Sequence, residues 1–185
     1  MISGREAPED LEAFLASEQR RSRRLEWLDG RVQPRPRHST EEARIAANIY
    51  LGLRARLRTK SRRDVHRGGL EVVARRGRAV LYPDVFVRCG PLVEPEIPVE
   101  DPAVVFEIGR AAAEGPRRIE AYQSIASLWT IVQIAEAPAQ LLVVQRQRNG
   151  WREVTLKGLG AVLELPEIRV ELPLVEIYEA AAVLG

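Results

Sequence analysis

Apolar residues recur at helical spacing in three segments of the chain and alternate with polar residues in several others, which predicts a mixture of helices and strands. Helices are expected over residues 8–18, 39–58 and 116–126, with a fourth, short helix from Pro173. The second is the longest. It opens with a Ser39-x-x-Glu42 capping box and repeats apolar residues every four positions, which predicts one buried stripe.

Strands are expected where apolar residues alternate with polar ones or form short β-branched runs. An Asp29-Gly30 turn within residues 24–32 predicts a hairpin in which Trp27 faces the core, while the exposure of Glu26 stays open. Further strands are expected at residues 70–74, 79–88, 103–108, 128–134, 141–145 and 151–157. Four prolines and four carboxylates in residues 91–102 predict a surface loop, because proline cannot donate to a sheet.

This order predicts an α+β fold with one mixed central β-sheet that bears hairpins and is flanked by helices. The length of 185 residues suits a single domain over residues 1–185. No apolar run approaches the roughly 18 residues of a membrane helix, and residues 1–18 do not resemble a secretory signal, so we expect a cytoplasmic protein without a membrane partner. A single Cys89 and two histidines exclude an internal disulfide and a Cys/His zinc site. The aromatic residues Trp27, Tyr122 and Trp129 are expected in the core.

Charge is distributed unevenly along the chain, although the net charge is only +2. Residues 1–90 hold 20 Lys+Arg against 12 Asp+Glu, and residues 91–185 hold 8 against 14. The densest basic segment, residues 54–78, suits a polyanion such as DNA. The candidate DNA-binding side chains within it are Arg54, Arg58, Arg62, Arg63 and Arg67. A solvated surface in an arginine-biased composition is the alternative, since only two of the basic residues are lysines.

Two carboxylates stand in otherwise apolar strands. Asp84 follows Pro83 within residues 79–88, and Glu107 lies near the end of the next expected strand. Consecutive strands usually neighbour each other, so the two side chains are expected within a few ångströms. Such a pair suits Mg²⁺ or Mn²⁺, which polarises a phosphoryl oxygen and activates a bound water. The alternative for Asp84 is a plain turn after Pro83, but an unsatisfied carboxylate in an apolar run would be costly.

A strand-borne Pro-Asp, a Glu in the next strand and a basic residue beyond it resemble the PD-(D/E)xK nucleases, which share the restriction-endonuclease-like fold. Over nearly the whole chain, the order of motifs is similar to the Uma-type family of restriction endonucleases. These motifs are Leu25-Glu-Trp-Leu-Asp-Gly-Arg-Val32, His38 before the long helix, Tyr82-Pro-Asp-Val85, Val104-Val-Phe-Glu-Ile108, Arg118-Ile-Glu-Ala-Tyr122 and Leu128-Trp-Thr-Ile-Val132.

The resemblance implies a metal-dependent DNA endonuclease. Asp84 and Glu107 match the family's metal ligands, Glu26 matches its glutamate before the Asp-Gly turn, and Arg118 stands where the family has its catalytic Lys. The resemblance also implies a homodimer. Arginine keeps its charge and can bind phosphate, but it cannot give up a proton as lysine does. Gly109 occupies the ordinary superfamily lysine position, two residues past Glu107. We therefore expect an endonuclease that is weakened or inactive.

Several residues have alternative roles. Glu26 is either a metal contact or an exposed hairpin residue paired with Arg24 or Arg31, and Arg118 is either a phosphate contact or a solvated helix residue. His38 either joins the site or merely precedes the helix, and Glu71 either joins the carboxylates or, as we favour, pairs with Arg75. Two other functions stay open: a non-catalytic nucleic-acid-binding module that uses the basic segment, and an assembly protein that associates through its proline-rich loop.

Overall fold

The computed structural model of the chain describes residues 10–18, 24–35, 38–57, 63–90, 98–109 and 115–179. The helices within these residues are α1 Leu11–Glu18, α2 Thr40–Leu57, α3 Gly115–Gln123 and α4 Leu174–Tyr178. The strands are β1 Leu25–Leu28, β2 Arg31–Pro34, β3 Arg63–Arg67, β4 Val72–Ala74, β5 Ala79–Leu81, β6 Val85–Cys89, β7 Pro102–Ile108, β8 Thr130–Ile134, β9 Gln140–Gln147, β10 Gly150–Lys157, β11 Val162–Leu165 and β12 Val170–Pro173.

A six-stranded sheet in the order β10-β9-β8-β7-β6-β3 forms the centre of the fold. Its strand pairs are antiparallel except for β7 and β8, which run parallel. Side chains alternate between its faces, so Val104 and Phe106 pack with α2 and α4 while Val105 packs with α3. Both faces are therefore covered, which explains why β7 is a continuous buried run.

A four-stranded sheet in the order β2-β1-β5-β4 packs beside α3 on the second face of the central sheet. Its own outer face carries Trp27, Val73 and Val80, which pack against Phe14 of α1. Asp29 and Gly30 both adopt positive φ angles, of 49° and 82°, which is the backbone of a tight hairpin turn. A third sheet, the β11-β12 hairpin, covers part of the α2 face.

The expected α+β class and mixed central sheet are confirmed, as are the long helix and the first hairpin. The capping box is present as well: the Glu42 amide donates to Ser39 Oγ over 3.0 Å, and the Ser39 amide donates to a Glu42 carboxylate oxygen over 2.9 Å. The first nine residues, and Arg58 at the expected end of the long helix, lie outside the described residues.

The expectation of one sheet was wrong, because the segment expected as one strand over residues 79–88 is two strands in different sheets. Tyr82, Pro83 and Asp84 form the break between β5 and β6. No strand was expected over residues 63–67 of the basic segment, but β3 lies there and its Val65 joins the core. The β11-β12 hairpin was not expected either. The expected loop over residues 91–102 also needs correction: Val99 is buried and bridges Val72, and residues 91–97 lie outside the described part.

Among the described helices, none is both long enough and apolar enough to cross a bilayer.

Candidate active site

Asp84 is held at the start of β6 by backbone and side-chain contacts to two neighbouring strands. Its amide donates to the carbonyl of Phe106 over 2.9 Å, and its carbonyl accepts from the Gly68 amide over 2.9 Å. Its Oδ2 accepts from the Ile108 amide over 2.6 Å. The carboxylate is buried beside the end of β7, where Glu107 lies, so the two acids stand on neighbouring strands as expected.

An arginine and a histidine meet the other oxygen of Asp84. Arg35, which directly follows β2, donates from Nη2 to Oδ1 over 2.5 Å, and His38 Nε2 lies 2.6 Å from the same oxygen. Arg35 is mostly buried, whereas the His38 side chain is 31% exposed. His38 therefore belongs to the site and lies at its solvent side, just before α2 begins.

Glu107 faces α3 and the four-stranded sheet. Its Oε1 accepts from Arg118 Nη2 over 2.5 Å and from the Tyr122 hydroxyl over 2.6 Å. Arg118 and Tyr122 are four residues apart on α3, so they project from the same face of the helix. This spacing lets one helix present a cation and a hydroxyl to one buried carboxylate.

Glu26 is fully buried on β1 and shares Arg118 with Glu107. Arg118 Nη1 donates to Glu26 Oε2 over 2.7 Å, and Nη2 donates to Oε1 over 3.2 Å. Oε1 also accepts from the Tyr82 amide over 3.2 Å. The interpretation of Glu26 as an exposed hairpin residue is therefore wrong. Arg118 is also completely buried, so it is not a solvated helix residue.

The buried charges set the ionisation of this cluster. Burial opposes the charged guanidinium of Arg118, but Glu107, Tyr122 and Glu26 outweigh it and raise the pKa of Arg118 above its ordinary value. Burial, reinforced by the charge of Glu107, raises the pKa of the Tyr122 hydroxyl well above its usual range. Arg118 is therefore always a cation here, and Tyr122 always a neutral donor.

The carboxylates of Asp84 and Glu107 suit a hard divalent cation by donor type, since Mg²⁺ is commonly held by one or two carboxylates plus water. Within the described residues, no three His, Cys, Asp or Glu side chains are grouped so that they could hold a metal ion by themselves. Arg35 and Arg118 already donate to the two carboxylates. Asp84 and Glu107 would thus hold a metal together with water, after these guanidinium groups had given way.

Gly109 stands where the resemblance to the ordinary superfamily motif would put a lysine, and its backbone and surroundings both disfavour a side chain there. Its φ is +64°, in the left-handed region that favours glycine. A Cβ at this position would also meet the carboxyl group of Glu42, the residue that closes the capping box of α2. In this structure the basic side chain that contacts Glu107 comes from α3, and a side chain at position 109 would have to displace the Glu42 carboxyl group.

The other candidate residues lie elsewhere. The favoured Glu71–Arg75 pair is not among the ion pairs of the described residues, in which Arg75 pairs with Glu100 and Glu12. Of the basic candidates, Arg67 ends β3 beside Asp84, while Arg63 begins β3 at the opposite end of the sheet. Arg54 is near the end of α2, with Asp64 3.9 Å away. Arg58 and Arg62 lie outside the described residues.

Two residues of the site were not identified from the sequence. Tyr122 was expected only as a core residue, although its position four residues after Arg118 could have placed it on the same helix face. Arg35 has no such local signal, because its contact with Asp84 joins residues 49 positions apart. Trp129 was wrongly expected in the core, since it is 50% exposed.

Comparison with known proteins gives a family match for the sequence and a matching fold for the structure. The family model of Uma2, described as "Putative restriction endonuclease", matches residues 11–174. A crystal structure from Anabaena variabilis, described as "a putative nuclease belonging to DUF820", superimposes with a TM-score of 0.72 at 12% sequence identity. The match covers 89% of this chain and 96% of that one, which shows a shared fold. No curated protein sequence is significantly similar to this chain.

Proposed function

Because the chain belongs to the Uma2 family, we propose that it is a DNA endonuclease that depends on Mg²⁺ or Mn²⁺ and whose hydrolytic step is weakened by Arg118. The observation that carries this proposal is the pair of buried acids at neighbouring strand ends, Asp84 and Glu107. Buried carboxylates are costly to maintain for packing alone. A bound metal would supply Lewis-acid polarisation of the phosphoryl oxygen and a more acidic water.

The chain's own residues would act in three ways. Asp84 and Glu107 would hold the metal, and Glu26 would keep the guanidinium of Arg118 oriented through its two hydrogen bonds. Arg118 would keep positive charge beside Glu107, where negative charge develops on the phosphate. Arginine does not release a proton in this range, so it cannot take the proton-transferring role of the family's lysine. Weak cleavage follows from that difference.

A nuclease assay with plasmid and single-stranded DNA in Mg²⁺ or Mn²⁺ tests the proposal. Arg118→Lys is expected to raise the cleavage rate by at least about tenfold, because a positioned proton-transfer group contributes on the order of 10²–10⁴ to a rate. Asp84→Asn, made in the Arg118→Lys background, is expected to abolish that gain. The matched control is Arg117→Lys, at the exposed neighbouring position of α3. Cleavage that survives Asp84→Asn would overturn the proposed metal site.

A second candidate function is nucleic-acid binding without cleavage. It is favoured by the arginines that already bond all three buried carboxylates: Arg35 bonds Asp84, and Arg118 bonds both Glu26 and Glu107. This second function would replace the first if the protein binds DNA in EDTA while neither the wild type nor Arg118→Lys cleaves DNA in the nuclease assay.

We extend the proposal to a homodimer, since an enzyme that cuts both strands of a duplex needs two sites. Sedimentation equilibrium of the full chain, with and without a DNA duplex, tests this extension. A monomer under both conditions would remove it and leave a nicking activity on one strand.

A further inference from the structure

Three arginines surround the solvent side of the candidate site, and we call them the cationic rim: Arg24, Arg35 and Arg67. Arg24 precedes β1, is exposed, and places its guanidinium carbon 5.9 Å from the centre of the Tyr82 ring. Arg67 is exposed at the end of β3 and pairs through its backbone with Val85, the residue after Asp84. Arg35 connects the rim to the acid itself through its contact with Asp84.

Two consecutive glycines directly follow Arg67 and lie beside Asp84. Gly68 and Gly69 have φ angles of +52° and +91°, which side chains rarely adopt, and the Gly68 amide donates to the Asp84 carbonyl. A Cβ on Gly69 would lie 3.0 Å from Arg24 Nη2. Because Gly69 has no side chain, the guanidinium of Arg24 can lie against this turn, at the point where the end of β3 meets Asp84.

The register of the central sheet separates the rim from most of the basic segment. Arg67 lies opposite Val85, but Arg63 lies opposite Cys89 at the other end of the same strand pair. Four residues of strand span about 13 Å. Arg54 is farther away, because it lies fourteen residues along α2 from its first residue, a rise of about 21 Å. Among the described candidates of the basic segment, Arg67 is thus the one whose backbone lies nearest to Asp84.

At this edge of the central sheet, charged side chains are acidic on one side of Asp84 and basic on the other. The strand order places the ends of β8 and β7 on one side of Asp84 and the end of β3 on the other. Glu136 follows β8 and accepts from Ser39 Oγ, and the Glu42 carboxyl lies against Gly109 after β7. A polyanion that approaches Asp84 is repelled on that acidic side and attracted on the side of Arg67.

We propose that the DNA backbone crosses the site over the cationic rim, where Arg24 and Arg67 bind the phosphates next to the one at Asp84. This assignment rests on the proposed function and specifies its substrate contact: the sugar-phosphate chain of DNA, recognised by charge rather than by sequence. The proposed phosphate contacts are thus the two exposed arginines Arg24 and Arg67, and not the whole basic segment. Arg35, the third member of the rim, is bonded to the Asp84 carboxylate.

Fluorescence anisotropy of a labelled DNA duplex in EDTA, over about 50 to 200 mM NaCl, measures the contacts without cleavage. Arg24→Ala combined with Arg67→Ala is expected to weaken binding about tenfold and to lower the salt slope by about two, one for each lost phosphate contact. Arg24→Lys with Arg67→Lys retains the charges and is expected to bind within about threefold of wild type. Arg54→Ala and Arg152→Ala, at exposed positions away from the rim, are the matched controls.

The outcomes separate this inference from the proposed function. Three outcomes would overturn the rim as the DNA contact. The double alanine variant could bind DNA as tightly as wild type, Arg54→Ala could weaken binding equally, or the wild type could fail to bind DNA. Loss of binding that is confined to the rim variants supports it. If the rim governs binding while neither the wild type nor Arg118→Lys cuts DNA, the rim stands and the endonuclease proposal fails.

Discussion

Arg118 donates to Glu107 over 2.5 Å and, with the same guanidinium, bonds Glu26 in a different sheet. Glu107 belongs to the six-stranded sheet and Glu26 to the four-stranded sheet, so one buried side chain of α3 joins both. Arg118, which the resemblance places at the family's lysine position, is therefore also a structural link. Its substitution affects folding stability as well as any chemistry.

Removing the charge of Arg118 is expected to destabilise the protein strongly. Arg118→Met leaves Glu26 and Glu107 buried near each other without their cation, and breaking such a buried pair costs about 3–5 kcal/mol. Urea unfolding followed by circular dichroism measures the change. Arg117→Met is the control, since that neighbour is exposed and should change stability by less than about 0.5 kcal/mol. Equal stabilities of the two variants would contradict the link.

The Tyr122 hydroxyl is expected to stabilise the fold through its bond to Glu107. Tyr122→Phe keeps the ring in the core but removes a buried donor from a carboxylate, which should cost about 1.5–3 kcal/mol. The free energy of unfolding, measured in urea, checks this value. Tyr50→Phe, at a partly buried tyrosine of α2 outside the site, should cost much less. A Tyr122→Phe protein as stable as wild type would mean that the bond contributes nothing.

Gly109 is expected to reject the lysine of the ordinary superfamily motif. Gly109→Lys forces a side chain into the left-handed region, at roughly 1–2 kcal/mol, and drives its Cβ into the Glu42 carboxyl. We expect a lower melting temperature and no gain in nuclease activity, in contrast to Arg118→Lys. Gly90→Lys, where a side chain meets open space, is the matched control. Cleavage by Gly109→Lys would show that the loop after β7 rearranges.

Glu167 gives a pH dependence of stability. Its burial raises its pKa above the ordinary value and outweighs hydrogen bonding and the charge of Arg63, which lower it. The protonated acid is favoured in the folded state, so its stabilising contribution is complete below the unfolded pKa of about 4.3 and is lost as pH rises through the higher folded value. Glu167→Gln should therefore raise the melting temperature at pH 7 and have little effect near pH 4. An equal effect at both pH values would contradict the shifted pKa.

Local patterns predicted most of the elements, because helical and strand spacing reflect burial of one face or of both. The capping box of α2, the Asp29-Gly30 hairpin and strand β7 all follow from residues within a few positions of each other. Strand β3 was missed since its charged residues surround a single buried valine. The hairpin of β11 and β12 was also missed, and both strands are only four residues long.

The candidate acids could be identified from the sequence, since a carboxylate is unusual within an apolar strand. Their partners could not, because hydrogen bonds between Asp84 and Arg35 or between Glu26 and Arg118 join residues that are far apart in the chain. The exposure of Glu26 depended on whether α3 and a second sheet covered its strand. The alternation of apolar and polar residues within β1 does not show whether its second face is covered.

The sequence by itself thus determined the α+β class, the strand-borne acids Asp84 and Glu107, and the arginine at position 118 in place of lysine. Only the tertiary structure decided that Arg118 is buried between Glu26 and Glu107, that the Glu42 carboxyl group lies against Gly109, and that the backbone of Arg67 lies beside Asp84 while that of Arg63 does not. The physical reason is that spacing along a chain encodes which face of an element is buried. The packing of sheets and helices then determines which charged groups meet there, and whether water or a cation can reach them.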